Sequence, residues 1–290
     1  MKLTAILLLS GLVSLAMSGY RDREDKKPLL ELEPVSHVSK SAGQEISGLA
    51  KSYRHEDVYW AVNDSGNPAV IVPLSPEGKV VSASGRSITI PKAHNIDWEA
   101  LAADSSGRLY ICDVGNNFSR RKQLQVYIIP EPSLFSSSTP EPEIIRIRYP
   151  DQGTSGSGKL LYDCEAAFVF NEKLYLLTKR LHDAATSLYR LDTRKRNTVN
   201  NLTFMKTYPI KGYVTGADVS PDQKTLAVLT YRALWLFHDF PNDDFFDGRK
   251  TKIPLKGAGQ IESIVFTSAK RLLLINETNN EIFSIRLNVE

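Results

Sequence analysis

Trp98-Glu99-Ala100-Leu101-Ala102 and Cys164-Glu165-Ala166-Ala167-Phe168 share one pattern: a carboxylate, a small residue, then a short apolar run. Three further stretches repeat it more loosely: Ile46-Ser47-Gly48-Leu49-Ala50, Thr215-Gly216-Ala217-Asp218-Val219 and Ile261-Glu262-Ser263-Ile264-Val265. Aligned on Gly48, Ala100, Ala166, Ala217 and Ser263, the copies recur about every 50 residues, with one longer interval. A period of that length marks a repeat architecture in which each copy opens one structural unit.

Working outward from each opening, a second apolar run follows a turn and ends in polar residues. Val58-Tyr59-Trp60-Ala61-Val62 leads into Asn63-Asp64, and Leu109-Tyr110-Ile111-Cys112 into Asp113. The later copies end at Thr178-Lys179-Arg180, Thr230-Tyr231-Arg232 and Asn276-Glu277. Short β-branched and aromatic runs separated by Ser, Asp, Gly and Pro clusters predict strands joined by hairpins. Third strands are expected over 70–74, 124–129, 187–191, 233–237 and 281–287. Fourth, more polar strands are expected near 80–90, 144–149, 202–208 and 251–255. The fifth unit runs out of chain after its third strand. Residues 29–33, Leu-Leu-Glu-Leu-Glu, alternate with period two and are expected to close the ring as the missing outer strand.

The pattern therefore predicts an all-β, five-bladed β-propeller closed by an N-terminal strand, with six blades as the alternative. Six blades would need the long interval to be split, but its excess falls in polar stretches that read as loop. Met1-Lys2 and the apolar run that follows predict a signal peptide over 1–18, and a charged, flexible lead-in over 19–28. The propeller domain then spans 29–290. The run is short for a membrane span, so the mature chain is expected to lack a transmembrane segment and to be exported, to the periplasm or outside the cell. A formal net charge of +3 with no aromatic-basic stripe argues against a nucleic-acid partner. Arg194-Lys195-Arg196 reads as a solvated loop. Cys112 and Cys164 fall at ends of neighbouring strands, which leaves a disulfide open. Asn63, Asn117, Asn201 and Asn276 each begin an Asn-x-Ser/Thr sequon.

Strand alternation places the start of each first strand and the end of each second strand on one face. Glu99, Glu165 and Glu262 are thus expected to converge at the channel mouth, ringed by loops carrying Asp64, Asp113, Asn116, Asn117, Lys179, Arg180 and Asn276. Converging carboxylates need compensating charge to stay ionised. An all-oxygen set favours calcium, held by Glu99, Glu165 and Glu262. The alternative is that the glutamates brace the blades, with Lys179 and Arg180 neutralising them. The ring residues would then bind a ligand or protein partner on that face.

These openings resemble the SdiA-regulated family of bacterial five-bladed β-propellers, over roughly 44–288. The resemblance implies an exported propeller with a calcium site and places Glu99, Glu165 and Glu262 where that family's repeated acidic residues sit. The chain departs from the pattern in having Ala or Ser where Gly is usual, and in its Asn-Asp-Ser-Gly and Asp-Val-Gly-Asn-Asn loops.

Two functions follow. One is a non-catalytic calcium-binding propeller that presents its loop-rich face to a ligand or protein. The alternative is a calcium-dependent lactonase or esterase using an axial metal, with Glu165 or Asp163 as the base. The histidines are scattered, and no nucleophile elbow, phosphate loop or dinucleotide fingerprint is present. The sequence leaves catalysis open and favours the binding protein.

Overall fold

The computed structural model describes residues 24–26, 28–152 and 160–287. The expected leader lies outside them. Five sheets follow one another along the chain, each with four antiparallel strands counted from the axis outward. Their innermost strands are Ile46–Lys51, Trp98–Ala103, Asp163–Phe170, Val214–Val219 and Ile261–Ser268. Each packs on the next in cyclic order, and the fifth packs on the first, so the ring closes as a five-bladed β-propeller.

The core explains why the second strands read as unbroken apolar runs. Buried residues fall into five clusters, each filling the space between two neighbouring blades. Tyr110 and Cys112 face blade three, while Leu109 and Ile111, on the same strand, face blade one. A strand buried on both faces has no solvent side to alternate toward. Trp98 is fully buried between blades one and two, and its indole N–H donates to the His94 carbonyl at 3.1 Å. Removing such an indole costs about 3–5 kcal/mol.

The N-terminal segment departs from expectation. Leu30–Glu31 does not complete blade five; it pairs in parallel with Leu255 and Lys256 on the outer strand of blade four. Glu24–Lys26, inside the expected lead-in, pairs in parallel with the same strand. Ser36–His37 supplies the closing strand, antiparallel to Glu281–Arg286. The alternation of residues 29–33 signals a strand but cannot say which of two adjacent edges accepts it. Blade two likewise gains Val199–Asn201, in parallel, from the loop of blade three. Cys112 and Cys164 share the cluster between blades two and three as free, buried thiols.

Candidate functional site at the channel mouth

Every innermost strand breaks register with its neighbour at the same place. The shifts fall between Ile46 and Gly48, Trp98 and Ala100, Cys164 and Ala166, Val214 and Gly216, and Ile261 and Ser263. The residue left over in each blade is Ser47, Glu99, Glu165, Thr215 or Glu262. A β-bulge carries one extra residue, bends its strand and re-aims a side chain. The repeated sequence pattern is therefore a repeated bulge. It also corrects the alignment of blade four: the small residue equivalent to Gly48 and Ala100 is Gly216, not Ala217, and the bulged residue is Thr215.

The five bulged residues do different work. The Ser47 hydroxyl donates to the Trp98 carbonyl at 2.6 Å and ties blade one to blade two. Glu165 accepts an ion pair from Lys179 at 2.9 Å, both side chains being nearly buried. Glu262 accepts the Tyr231 hydroxyl at 2.8 Å, and the Lys179 ammonium lies 5.5 Å from the centre of the same Tyr231 ring. Burial works against the Lys179 ammonium, but Glu165 outweighs it and raises its pKa. The Thr215 hydroxyl is buried without a hydrogen-bond partner.

Glu99 has a different setting. It is 5 % exposed, and one oxygen from each of Asp64, Asp97 and Glu99 lies within 4.8 Å of the others. The local sequence builds this approach. Asn95 donates to the carbonyls of Asn63 and Asp64 at 2.9 and 2.8 Å and accepts the Trp98 amide at 3.1 Å. It thereby clamps the blade-one loop to the opening of blade two. Gly115 completes the wall, because a Cβ there would lie 2.7 Å from Glu99 Oε1 and closer still to the Asp97 carboxylate. Any larger residue would have to push these carboxylates aside.

The electrostatics follow from this crowding. Burial, then the neighbouring Glu165, Asp64, Asp97 and Asp163, raises the Glu99 pKa well above the usual carboxylate range. Burial and Asp64 push Asp97 up to about 6, against the pull of Arg121. Burial raises Asp163, whose Oδ1 accepts the Asn116 amide at 2.7 Å while its buried Oδ2 has no partner. Across the mouth, burial and Glu262 push Glu277 up to about 7. Among the described residues, Arg121 and Lys179 supply the ion pairs to these acids, and Arg121 is divided. It lies 2.7 Å from Asp113 and 3.8 Å from Asp97. The Asp64, Asp97, Glu99 side of the mouth thus gathers more acids than the protein's own cations compensate, and without an added cation the crowding favours their protonated forms.

The other expected ring residues are placed as follows. Asp113 is fully buried, holding Arg121, the Asp97 amide at 3.1 Å and Gln125 at 3.1 Å. Asn116 braces the 116–121 loop by accepting the Arg121 amide at 2.7 Å. Asn117 is exposed. Arg180 turns outward to Asp183 and Ser187. Asn276 is buried, its amide donating to the Ala258 carbonyl, as Asn63 donates to the Gln44 carbonyl at 2.7 Å. Those two sequon asparagines are structural repeats of each other. Asp97, Asn95, Gly115, Arg121, Tyr231 and Glu277 were not singled out by the sequence. A signal for Asp97 was present: Asp97-Trp98-Glu99 and Asp163-Cys164-Glu165 both read Asp-x-Glu, which sets an acid two residues before each bulged glutamate.

No protein-family model matches the chain, and no curated protein sequence matches it. Among solved structures, it is similar to the PQQ-bound aldose sugar dehydrogenase of Streptomyces coelicolor, with a TM-score of 0.50 at 9 % identity, covering 88 % of this chain and 97 % of that one. It also matches the structure of U3-55K, with a TM-score of 0.43 at 12 % identity, covering 83 % of this chain and 68 % of that one. Among the described residues no helix is long and apolar enough to cross a membrane. At such identities the likeness to the dehydrogenase shows a shared β-propeller fold, and nothing finer.

Proposed function

We propose that this protein is an exported calcium-binding β-propeller that presents an ion at its acidic mouth to a ligand or protein partner. The observation that carries this reading is the convergence of Asp64, Asp97 and Glu99 oxygens within 4.8 Å, beside a buried Asp163 oxygen with no partner. Carboxylates this crowded, Glu99 buried and Asp64 and Asp97 half-buried, favour taking up protons or a cation. The donors fit calcium: all are oxygen, none is His or Cys, and the Asp64 loop can adjust to a flexible coordination shell. Asp64, Asp97 and Glu99 would hold the ion, with Asp163 next to them. Glu165 and Glu262, engaged by Lys179 and Tyr231, would complete the mouth rather than the shell.

Calcium bound there would supply positive charge that holds the acids ionised and leaves the mouth able to receive anionic or hydroxylated groups. The hydrolase reading is weaker. The cavity along the axis, below the glutamates, measures about 10 Å³, about enough for one water and too small for an ester or lactone. A substrate would have to be held on the open face.

The test is thermal unfolding of the mature protein in calcium and in excess chelator. A ligand that binds only the folded state at about a hundred times its Kd adds about 2.7 kcal/mol. For a chain of this size that is a rise of roughly 5–10 °C. An unchanged Tm, with no binding heat on titrating calcium, would remove the metal and leave the acids as internal braces.

A further inference from the structure

The opposite end of the channel holds a second, larger cavity of about 210 Å³. It is formed where the innermost strands of blades one, two, four and five end, and Lys51, Tyr53, Ala102, Ala103, Asp218 and Phe266 are in its wall. Two of these residues, Lys51 and Asp218, carry opposite charges when ionised, burial pushing the Asp218 carboxyl up to about 7, and they are not paired with each other. The Lys51 ammonium donates to the Thr267 carbonyl at 2.6 Å. The Asp218 carboxylate accepts the Phe266 amide at 2.7 Å through one oxygen and the Val219 amide at 2.8 Å through the other. Both charges are thus anchored on the inner strand of blade five, at the neighbouring residues Thr267 and Phe266. The ammonium keeps donors, and the carboxylate keeps lone pairs, beyond those the backbone uses.

An ammonium and a carboxylate that line one small, half-apolar cavity without pairing with each other are complementary to one molecule carrying both charges. We infer that this end of the channel binds a small zwitterion, a free α-amino acid with a short side chain. Its carboxylate would meet Lys51 and its ammonium would meet Asp218, with the side chain against the partly exposed Ala103 and Val219. The volume suits roughly five to ten non-hydrogen atoms, taking about 30 Å³ per water-sized group. That is the size of alanine or serine and well below the usual range for drug-sized ligands. The mouth at the other end, with its excess of carboxylates, has no comparable charge balance. This inference does not rest on the calcium reading.

Isothermal titration calorimetry of the mature protein with L-alanine tests it, with ethylamine and propionate as half-ligands carrying one charge each. L-Alanine should bind, and each half-ligand should bind at least tenfold more weakly. Lys51→Met and Asp218→Asn should each weaken L-alanine at least tenfold while leaving the calcium response unchanged. Asp218 also holds two backbone amides, so its variant can lose stability. Ala103→Leu fills the cavity without touching either charge, and it should abolish binding in a protein whose circular dichroism is unaltered. No heat with L-alanine, L-serine or glycine at 50-fold excess would overturn the inference. So would half-ligands that bind as tightly as the amino acids, or an Ala103→Leu variant that binds normally.

Discussion

At one end of the central channel, bulged strands crowd carboxylates against one another; at the other, one ammonium and one carboxylate line a shared cavity without pairing. Four of the five strands that form the mouth also line the far cavity, so the difference lies in where each strand is irregular. At the mouth the extra residue of each bulge brings Glu99, Glu165 and Glu262 inward. Beyond it the inner strands of blades one to four show no second shift, while blade five shifts again between Phe266 and Ser268; the axis narrows around Gly48 and Gly216, and the channel reopens at Lys51 and Asp218. The waist is tight because a Cβ on Gly48 would lie 2.6 Å from the Leu101 amide. A bulge shared by all five strands concentrates side chains at the mouth, whereas at the far end blade five alone is bulged and fewer charges meet.

The largest expected effect comes from removing the cation of the mouth. Lys179→Met leaves Glu165 buried without its partner and should destabilise the fold by about 3–5 kcal/mol in urea titration. Adding Glu165→Gln to that variant should recover most of the loss. If the double variant is as unstable as the single one, Lys179 acts through packing and the pair is not what holds the mouth. Gly115→Ala should follow, at about 1–3 kcal/mol, because its methyl group meets the Asp97 and Glu99 carboxylates. It should also lower calcium affinity at least tenfold, measured by calorimetry.

Glu99→Gln sharpens the contrast by changing sign with conditions. In chelator it should raise Tm by a few degrees, since Gln is neutral in the crowded cluster without having to take up a proton; in calcium it should fall below the parent. A variant that behaves alike in both buffers would take Glu99 out of the ion's shell.

The pH dependence points the same way. Asp97 binds its proton more tightly folded than unfolded, with its pKa pushed from 3.8 to about 6. Its contribution to stability is therefore full below about pH 4 and is lost as pH rises through about 6. In chelator, the Tm difference between the parent and Asp97→Asn should shift in favour of the variant between pH 4 and pH 7. Calcium should abolish that shift. The smallest effects belong to residues whose side chains leave the mouth. Arg180→Ala and Asn117→Ala should change calcium affinity less than twofold, and Asp218→Asn, at the far end, should not change it at all.

Much of this architecture was legible because its signals are periodic. The recurring openings and the apolar second strands identify five blades before any coordinate is seen, and they place Glu99, Glu165 and Glu262 on one face. The failures were of registration. Blade four reads Thr215-Gly216-Ala217, with two small residues in succession, and only the break in pairing shows that Gly216 is the equivalent of Ala100. The segment around Leu30 reads as a strand but joins blade four, because strand propensity is local and the choice of edge is not.

What the sequence determined by itself is the repeat, the radial arrangement of blades and the acidic character of one face, since each rests on residues close together in the chain. Only the tertiary structure decided how the acids divide. Lys179 and Tyr231 occupy Glu165 and Glu262, while Asn95 and Gly115 draw Asp64 and Asp97 up to Glu99. The physical reason is distance: charge compensation depends on separations of a few ångströms between residues tens of positions apart, which only the closed ring brings together.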